Sequence, residues 1–295
     1  MTGAYEGARR MTQGSMLRVG DVIAVVLYLS ATMAIAFWAM RRAGTTEGFF
    51  VASRRMSGWP VGLSMLATAI SSVTFLAYPG SAYQGNWSRL VPGLMLPIAT
   101  LIGVLFFIPF YRSCSLTSAY EYLENRFGPW GRTYGCILFT ILSIYRSGSI
   151  LYLLAIPIKA MTGWEAEWTI VGTGAFVVFY TMLGGLEAVI WTDVLQAIVL
   201  TLGGVVCVVV VFLKVPEGVL ALFHRAMDAG KFSLNVSFDL DFTRDTFIVL
   251  ALSGLIGNIQ EFATDQTKVQ RYLAPKTIAG ARQAAWWCGL GCIPT

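Results

Sequence analysis

The sequence predicts an all-α integral membrane protein, and three observations carry that prediction. Hydrophobic residues make up 56% of the 295-residue chain, with a mean hydropathy of +0.65. Charged residues make up only 13%, about half the ~25% usual in soluble domains and too few to clothe a water-soluble surface. The apolar residues fall in unbroken runs such as GGVVCVVVVFL at 203–213. Strands of a membrane barrel alternate over about ten residues; these runs do not, so the spans are helices.

A helical crossing needs about 20 mostly apolar residues. Seven such segments are read along the chain: Val19–Met40, Trp59–Tyr83, Val91–Tyr111, Thr133–Ile158, Trp168–Leu183, Ala188–Val215 and Thr246–Val269, with an eighth starting near Ala281. A tail, residues 1–18, precedes them without a signal-peptide cleavage pattern, so the first run is expected to stay as a span. Ser118–Phe127 reads as a short amphipathic helix lying as an interfacial connector. The loop between spans one and two carries Arg41, Arg42, Arg54 and Arg55, and the loop before span three carries only Arg89. The excess of basic residues on one side places the N-terminus outside a cell membrane. Asn86-Trp-Ser88 and Asn235-Val-Ser237 then match glycosylation acceptors on outer loops.

The net charge of +5 and pI near 9.0 do not indicate nucleic acid, because the basic residues sit in short loops between apolar runs. Cys114, Cys136, Cys207, Cys288 and Cys292 show no metal-ligand spacing and are read as free thiols. One histidine, His224, and no phosphate-binding glycine loop leave nothing to support a soluble enzyme.

Four places carry chemistry. Span two reads LSMLATAISSVTFLAYPG, with Thr68, Ser71, Ser72 and Thr74 in its middle. Either the hydroxyls replace backbone bonds where the helix unwinds beside protein or a wet cavity, or they bond their own i−4 carbonyls or a neighbouring helix in an intact helix. In span seven, Gly254, Gly257, Asn258, Gln260 and Glu261 lie in a stretch that should be buried; a glutamate at membrane depth is a functional candidate, unless the span ends before it. Arg146 sits in the middle of span four, too deep to snorkel; its guanidinium needs either an acid from another span, such as Asp193, or an anionic substrate. Asp193, six residues into span six, could bind sodium, carry a proton, pair with Arg146 or reach the headgroups.

These residues resemble the sodium/solute symporter family. GGLEAVIWTDVLQ (Gly184–Gln196) is similar to the hallmark of that family, and SAYEYLENRFG (Ser118–Gly128), DQTKVQRYLAPK (Asp265–Lys276) and TTEGFFVASRRM (Thr45–Met56) to three further stretches. The resemblance implies a LeuT-type five-plus-five inverted repeat behind one extra helix (19–40). Residues 59–215 would be the first repeat, 216–245 an outer loop, and 246–295 the start of a second repeat. Family members run longer, so the chain is expected to be an N-terminal fragment, truncated after the first helix of that repeat. Spans two and seven would be the broken helices. Sodium, the coupling ion, would bind the Ala67 and Ile70 carbonyls, with a second at Asp193. Substrate would sit near Ser71 and Thr74, facing Arg146, with Thr68, Ser72, Gln260 and Glu261 as further lining residues. Ala69 and Thr74 stand where the sugar-carrying branch has Asn and Gln. The branch carrying organic carboxylates such as sialic acids resembles the chain better. The implied function is sodium-driven import of a small organic anion across the bilayer, with no organic cofactor. A sensory membrane module of a signalling protein and an inactive truncated remnant are the competing expectations.

Overall fold

The computed structural model describes residues 18–42, 45–71, 73–114, 116, 118–216, 218–234, 236, 239 and 241–292, with the side chain of Val73 left out. Ser72, Asn235, Ser237 and residues 1–17 of the tail therefore lie outside the described residues. Helix α1, Val19–Met40, starts where Asp21 Oδ2 accepts the Arg18 N–H at 2.8 Å. It fully buries only the small stripe Thr32, Ala36 and Ala39. Helix α2, Thr46–Val51, is capped by Thr45 Oγ1, which accepts from Gly48 N–H at 3.0 Å. Three consecutive non-glycine residues then take left-handed backbone: Ala52, Ser53 and Arg54, at φ 50°, 51° and 52°. Each costs roughly 1–2 kcal/mol. Arg54 helps hold the turn, donating to the Leu116 carbonyl at 3.0 Å and pairing with Glu47 at 3.4 Å.

Helix α3, Gly58–Ala69, stops partway along the second apolar segment: Ile70 is extended, at φ −90° and ψ 113°. The chain resumes as a π turn, Val73–Ala77, and helix α4, Tyr78–Gln84, with a 58° bend across the break. Helix α5, Trp87–Ser113, is irregular for a local reason. Pro92, Pro97 and Pro109 supply no N–H, and a 3₁₀ start and a π turn at Gly103–Phe107 re-register the ladder around them. Helix α6, Ala119–Phe127, is the expected connector, capped by Ser118 Oγ. Helix α7, Pro129–Thr162, carries Arg146.

Helix α8, Ala166–Lys214, has 49 residues. At ~1.5 Å per residue it would run about 73 Å, more than twice the ~30 Å hydrocarbon core. Gly185 divides it, at φ 59° and ψ −154°, a combination only glycine adopts readily. The two halves are the fifth and sixth spans. Helix α9, Val219–Asp228, lies in the following loop. Helix α10, Phe247–Thr264, is followed at once by α11, Gln266–Leu273, and then by α12, Ile278–Gly291. Five described helices are long and apolar enough to cross, and the bent α3–α4 pair makes a sixth. Dividing α8 at Gly185 gives seven, the number read from the sequence. Span seven differs in detail. Gly257, Asn258, Gln260 and Glu261 lie in unbroken helix, and the break comes at Asp265, which is extended at ψ 112°. An aspartate caps a new helix by accepting two N–H groups, and polar residues inside α10 do not interrupt its ladder.

The core lies where α3, α5, α10, α11, α12 and the second half of α8 meet, around Met65, Ile108, Ile190, Phe262, Tyr272 and Cys288. Helices α3 and α12 approach through small residues. Gly58 and Gly62 on α3 leave no room for a Cβ against Gly280 and Trp287, the close packing expected of membrane helices. All five cysteines are free. Backbone bonds from Met56 N–H to Ala274 O and from Lys276 N–H to Met56 O, both 3.2 Å, tie the loop before α3 to the turn after α11.

A Cβ at Gly185 would lie 2.6 Å from the Phe49 carbonyl oxygen, in addition to the disfavoured φ, whereas one at Gly172 would meet nothing within 4 Å. Gly185→Ala is expected to lower stability by about 2–3 kcal/mol, and Gly172→Ala to leave it unchanged or raise it slightly, as thermal unfolding in detergent would record.

Candidate functional site

The break in α3 is built by its own hydroxyls. The last rung of α3 runs from Ile70 N–H to the Leu66 carbonyl at 3.1 Å, and the ladder resumes with Phe75 N–H to the Ser71 carbonyl at 2.9 Å. Between the two, Thr74 Oγ1 accepts from Ser71 N–H at 3.4 Å and donates to the Ala69 carbonyl at 3.5 Å. Thr68 behaves differently: its Oγ1 donates to its own i−4 carbonyl, Ser64, at 2.8 Å. Thr74 thus replaces backbone bonds at the break, and Thr68 bonds its own i−4 carbonyl. Ala67 is buried; Thr68, Ile70, Ser71 and Thr74 are half-buried.

One turn before the break, Ser64 belongs to a buried charge cluster. Its Oγ donates to Asp193 Oδ2 at 2.6 Å and accepts from Arg271 Nε at 2.8 Å. Arg271 Nη2 donates to the same Asp193 oxygen at 2.8 Å, and Nη1 to the Thr267 carbonyl at 2.9 Å. The side chains of Arg271 and Asp193 are 6% and 12% exposed, so the pair is desolvated. Removing either charge would strand the other; such losses cost about 3–5 kcal/mol. Among the described residues no hydrogen bond reaches Asp193 Oδ1. The lone carboxylate of the sequence is therefore half of an ion pair, and its partner is Arg271, not Arg146.

Arg146 stands apart from that cluster. Its Nη1 lies 3.6 Å from Asp265 Oδ2, beyond hydrogen-bond range, and among the described residues this is its only partner. The Arg146 side chain is 53% exposed and that of Asp265 14%. Helix α7, which carries Arg146, also packs against the π turn 73–77, so arginine and break belong to neighbouring elements. Asp265 Oδ1 meanwhile accepts from Thr267 N–H at 2.7 Å and Lys268 N–H at 3.3 Å, capping α11.

Gln260 and Glu261 are engaged locally. Gln260 donates to Thr264 Oγ1 at 3.0 Å. Glu261 pairs with buried Lys268 at 2.6 Å, whose ammonium lies 5.0 Å over the Phe262 ring. Asn258 donates to the Pro92 carbonyl at 3.0 Å. The structure thus groups Ala67, Thr68, Ile70, Ser71 and Thr74 at the break, joins Asp193 to them through Ser64, and sets Arg146 against the head of α11. Sequence reasoning missed Ser64, Asp265, Lys268 and Arg271 as participants. The available signal was DQTKVQR: an Asp with basic residues three and six positions further on, at the spacing of a helix.

The sequence profile described as the Sodium:solute symporter family matches residues 49–290. The Sodium/sialic acid symporter NanT of Aliivibrio fischeri is 35% identical over 265 residues, which is 90% of this chain and 52% of that protein. The Sodium/sialic acid symporter SiaT of Proteus mirabilis is 35% identical over 252 residues, 85% of this chain and 51% of that one. The chain therefore spans about half the length of the curated relatives it matches. A solved structure of a Na+-coupled sialic acid symporter, in a substrate-bound outward-open state, superposes with a TM-score of 0.88 at 31% identity, covering 92% of this chain and 57% of that one.

Two substitutions read the charge cluster. Arg271→Met keeps bulk but leaves Asp193 buried and unpaired, and is expected to cost about 3–5 kcal/mol. Ser64→Ala removes one charge-assisted bond and is expected to cost about 1.5–3 kcal/mol. Thermal or denaturant unfolding of the purified variants measures both.

Proposed function

Because this chain belongs to the sodium:solute symporter family, as a multi-pass helical membrane protein of LeuT-type fold and not an enzyme, we propose that it carries the sodium and solute sites of a symporter importing a small organic carboxylate. The observation that carries the substrate class is Arg146. It lies mid-helix in a crossing, is half-exposed, and has five donors with one distant partner. A guanidinium fork matches a carboxylate in two parallel bonds. Relatives named as sialic acid symporters support the same class.

In this reading, sodium enters at the break, at the carbonyls of Ala67 and Ile70, where α3 leaves its regular ladder. Solute lies against Ser71, Ser72 and Thr74, with its carboxylate toward Arg146. Thr68 shapes the break through its bond to Ser64, and Gln260 and Glu261 line the far wall. The N-terminus is outside, as the loop arginines favour. Asp193 is the proposed second sodium ligand, through Oδ1, on a carboxylate that Arg271 already balances; full sodium coordination there requires Arg271 to turn aside.

Energetics favour a second sodium. A monoanion entering with one sodium moves no net charge, so a tenfold gradient supplies only about 1.4 kcal/mol. A second sodium adds the same again and makes the cycle electrogenic, worth about 2.3 kcal/mol at ~100 mV.

The test is uptake of sialic acid into proteoliposomes under an inward sodium gradient, with choline as the control cation. Uptake should require sodium. Arg146→Lys should weaken apparent affinity for the acid about tenfold, the loss of ~1.4 kcal/mol, and leave affinity for the uncharged C1 carboxamide unchanged. Sodium-independent uptake, or equal loss for acid and amide, contradicts the reading.

A further inference from the structure

Helix α11 has only eight residues, yet it touches both candidate sites. Its cap, Asp265, faces Arg146, and its last turn carries Arg271, which grips Asp193 and Ser64. The Asp265 carboxylate divides its work. Oδ1 takes the N–H groups of Thr267 and Lys268, and Oδ2 faces Arg146.

That division makes an exchange inexpensive. Arg146 can leave without stranding a bare charge, because two backbone donors and the positive end of α11 remain on Asp265. Arg146 can also leave without breaking a good bond, because 3.6 Å is an ion pair and not a hydrogen bond. A small carboxylate offers the fork two short parallel bonds in place of one long contact. A neutral solute offers no such gain and leaves Arg146 with Asp265.

We propose that Asp265 is a positioning residue, the resident counterion of Arg146, and that an anionic solute gains Arg146 by displacing it; this deepens the functional reading above and rests on it. The displacement selects for charge, because only an anion competes with a carboxylate. It also frees Asp265 Oδ2 at the head of the helix whose other end holds Asp193, so solute and sodium candidates sit at the two ends of α11.

Asp265→Asn separates the roles, since asparagine caps a helix as well as aspartate but carries no charge. Sialic acid and its uncharged C1 carboxamide serve as probes, with binding measured by calorimetry on the purified protein. Asp265→Asn is expected to bind sialic acid about three- to tenfold more tightly, the reciprocal of the fraction in which Arg146 is unclaimed, with carboxamide affinity unchanged. In an Arg146→Gln background the same substitution should have no effect. If the wild type binds sialic acid and Asp265→Asn binds it equally or more weakly, the inference fails and the functional reading stands. If the wild type binds neither probe, the functional reading fails together with the displacement. A solute-free melting cycle over Arg146→Gln and Asp265→Asn then reads the counterion pair alone: non-additive shifts support it, and additive shifts overturn it.

Discussion

A charge inside the membrane must be balanced there, and in this chain the Asp193–Arg271 pair imposes that constraint on everything near it. Asp193 arrives on the second half of α8 and Arg271 on α11, 78 residues apart in sequence, and Ser64 of α3 closes the cluster. Neither charge is tolerable alone in a low-dielectric interior. Three elements are thereby held in one register, and α3 is fixed one turn before it unwinds. Gly185 serves the same end: by breaking α8 after the fifth span, it sends the chain back across the membrane with Asp193 on the inward face of the sixth.

The break in α3 follows from that anchoring. A helix held by a buried ion pair on one side and by a small-residue seam with α12 on the other can stop at Ile70, because its hydroxyls take up part of the lost ladder. Thr74 does so across the gap, and Thr68 stiffens the turn below it. The ion pair, the break and the half-exposed Arg146 form a gradient of satisfaction. The first is paired through one carboxylate oxygen, Asp193 Oδ2, the second is partly self-satisfied, and the third is almost unpartnered. Binding capacity rises along that gradient, which is why the proposed solute contact is Arg146.

Much of this was legible in the sequence. Length and apolarity located the spans, since only lipid tolerates such runs. The gap between spans five and six falls at Gly184–Gly185, and the clustered hydroxyls of span two left a broken and an intact helix both open until the resemblance favoured the break. The partners of the charges were not legible. Arg146 and Asp193 looked like possible mates because both lie in apolar runs, while Asp265 and Arg271 sit in DQTKVQRYL, which reads as the polar end of a span. Burial of that segment is a tertiary event: α11 turns inward against α3 and α12, and its basic residues are then solvated by acids from elsewhere. The polar residues of span seven do not mark its break either, since Asn258, Gln260 and Glu261 find partners without leaving the helix.

The central claim is that Asp193 and Arg271 act as one buried unit that holds α3, α8 and α11 together. A double-mutant cycle over Asp193→Asn and Arg271→Gln, read by unfolding of the purified protein, tests it most directly. A coupled pair predicts that the double variant is more stable than the sum of the single losses allows, with an interaction energy of about 2–3 kcal/mol. Losses that add to within about 0.5 kcal/mol would contradict it.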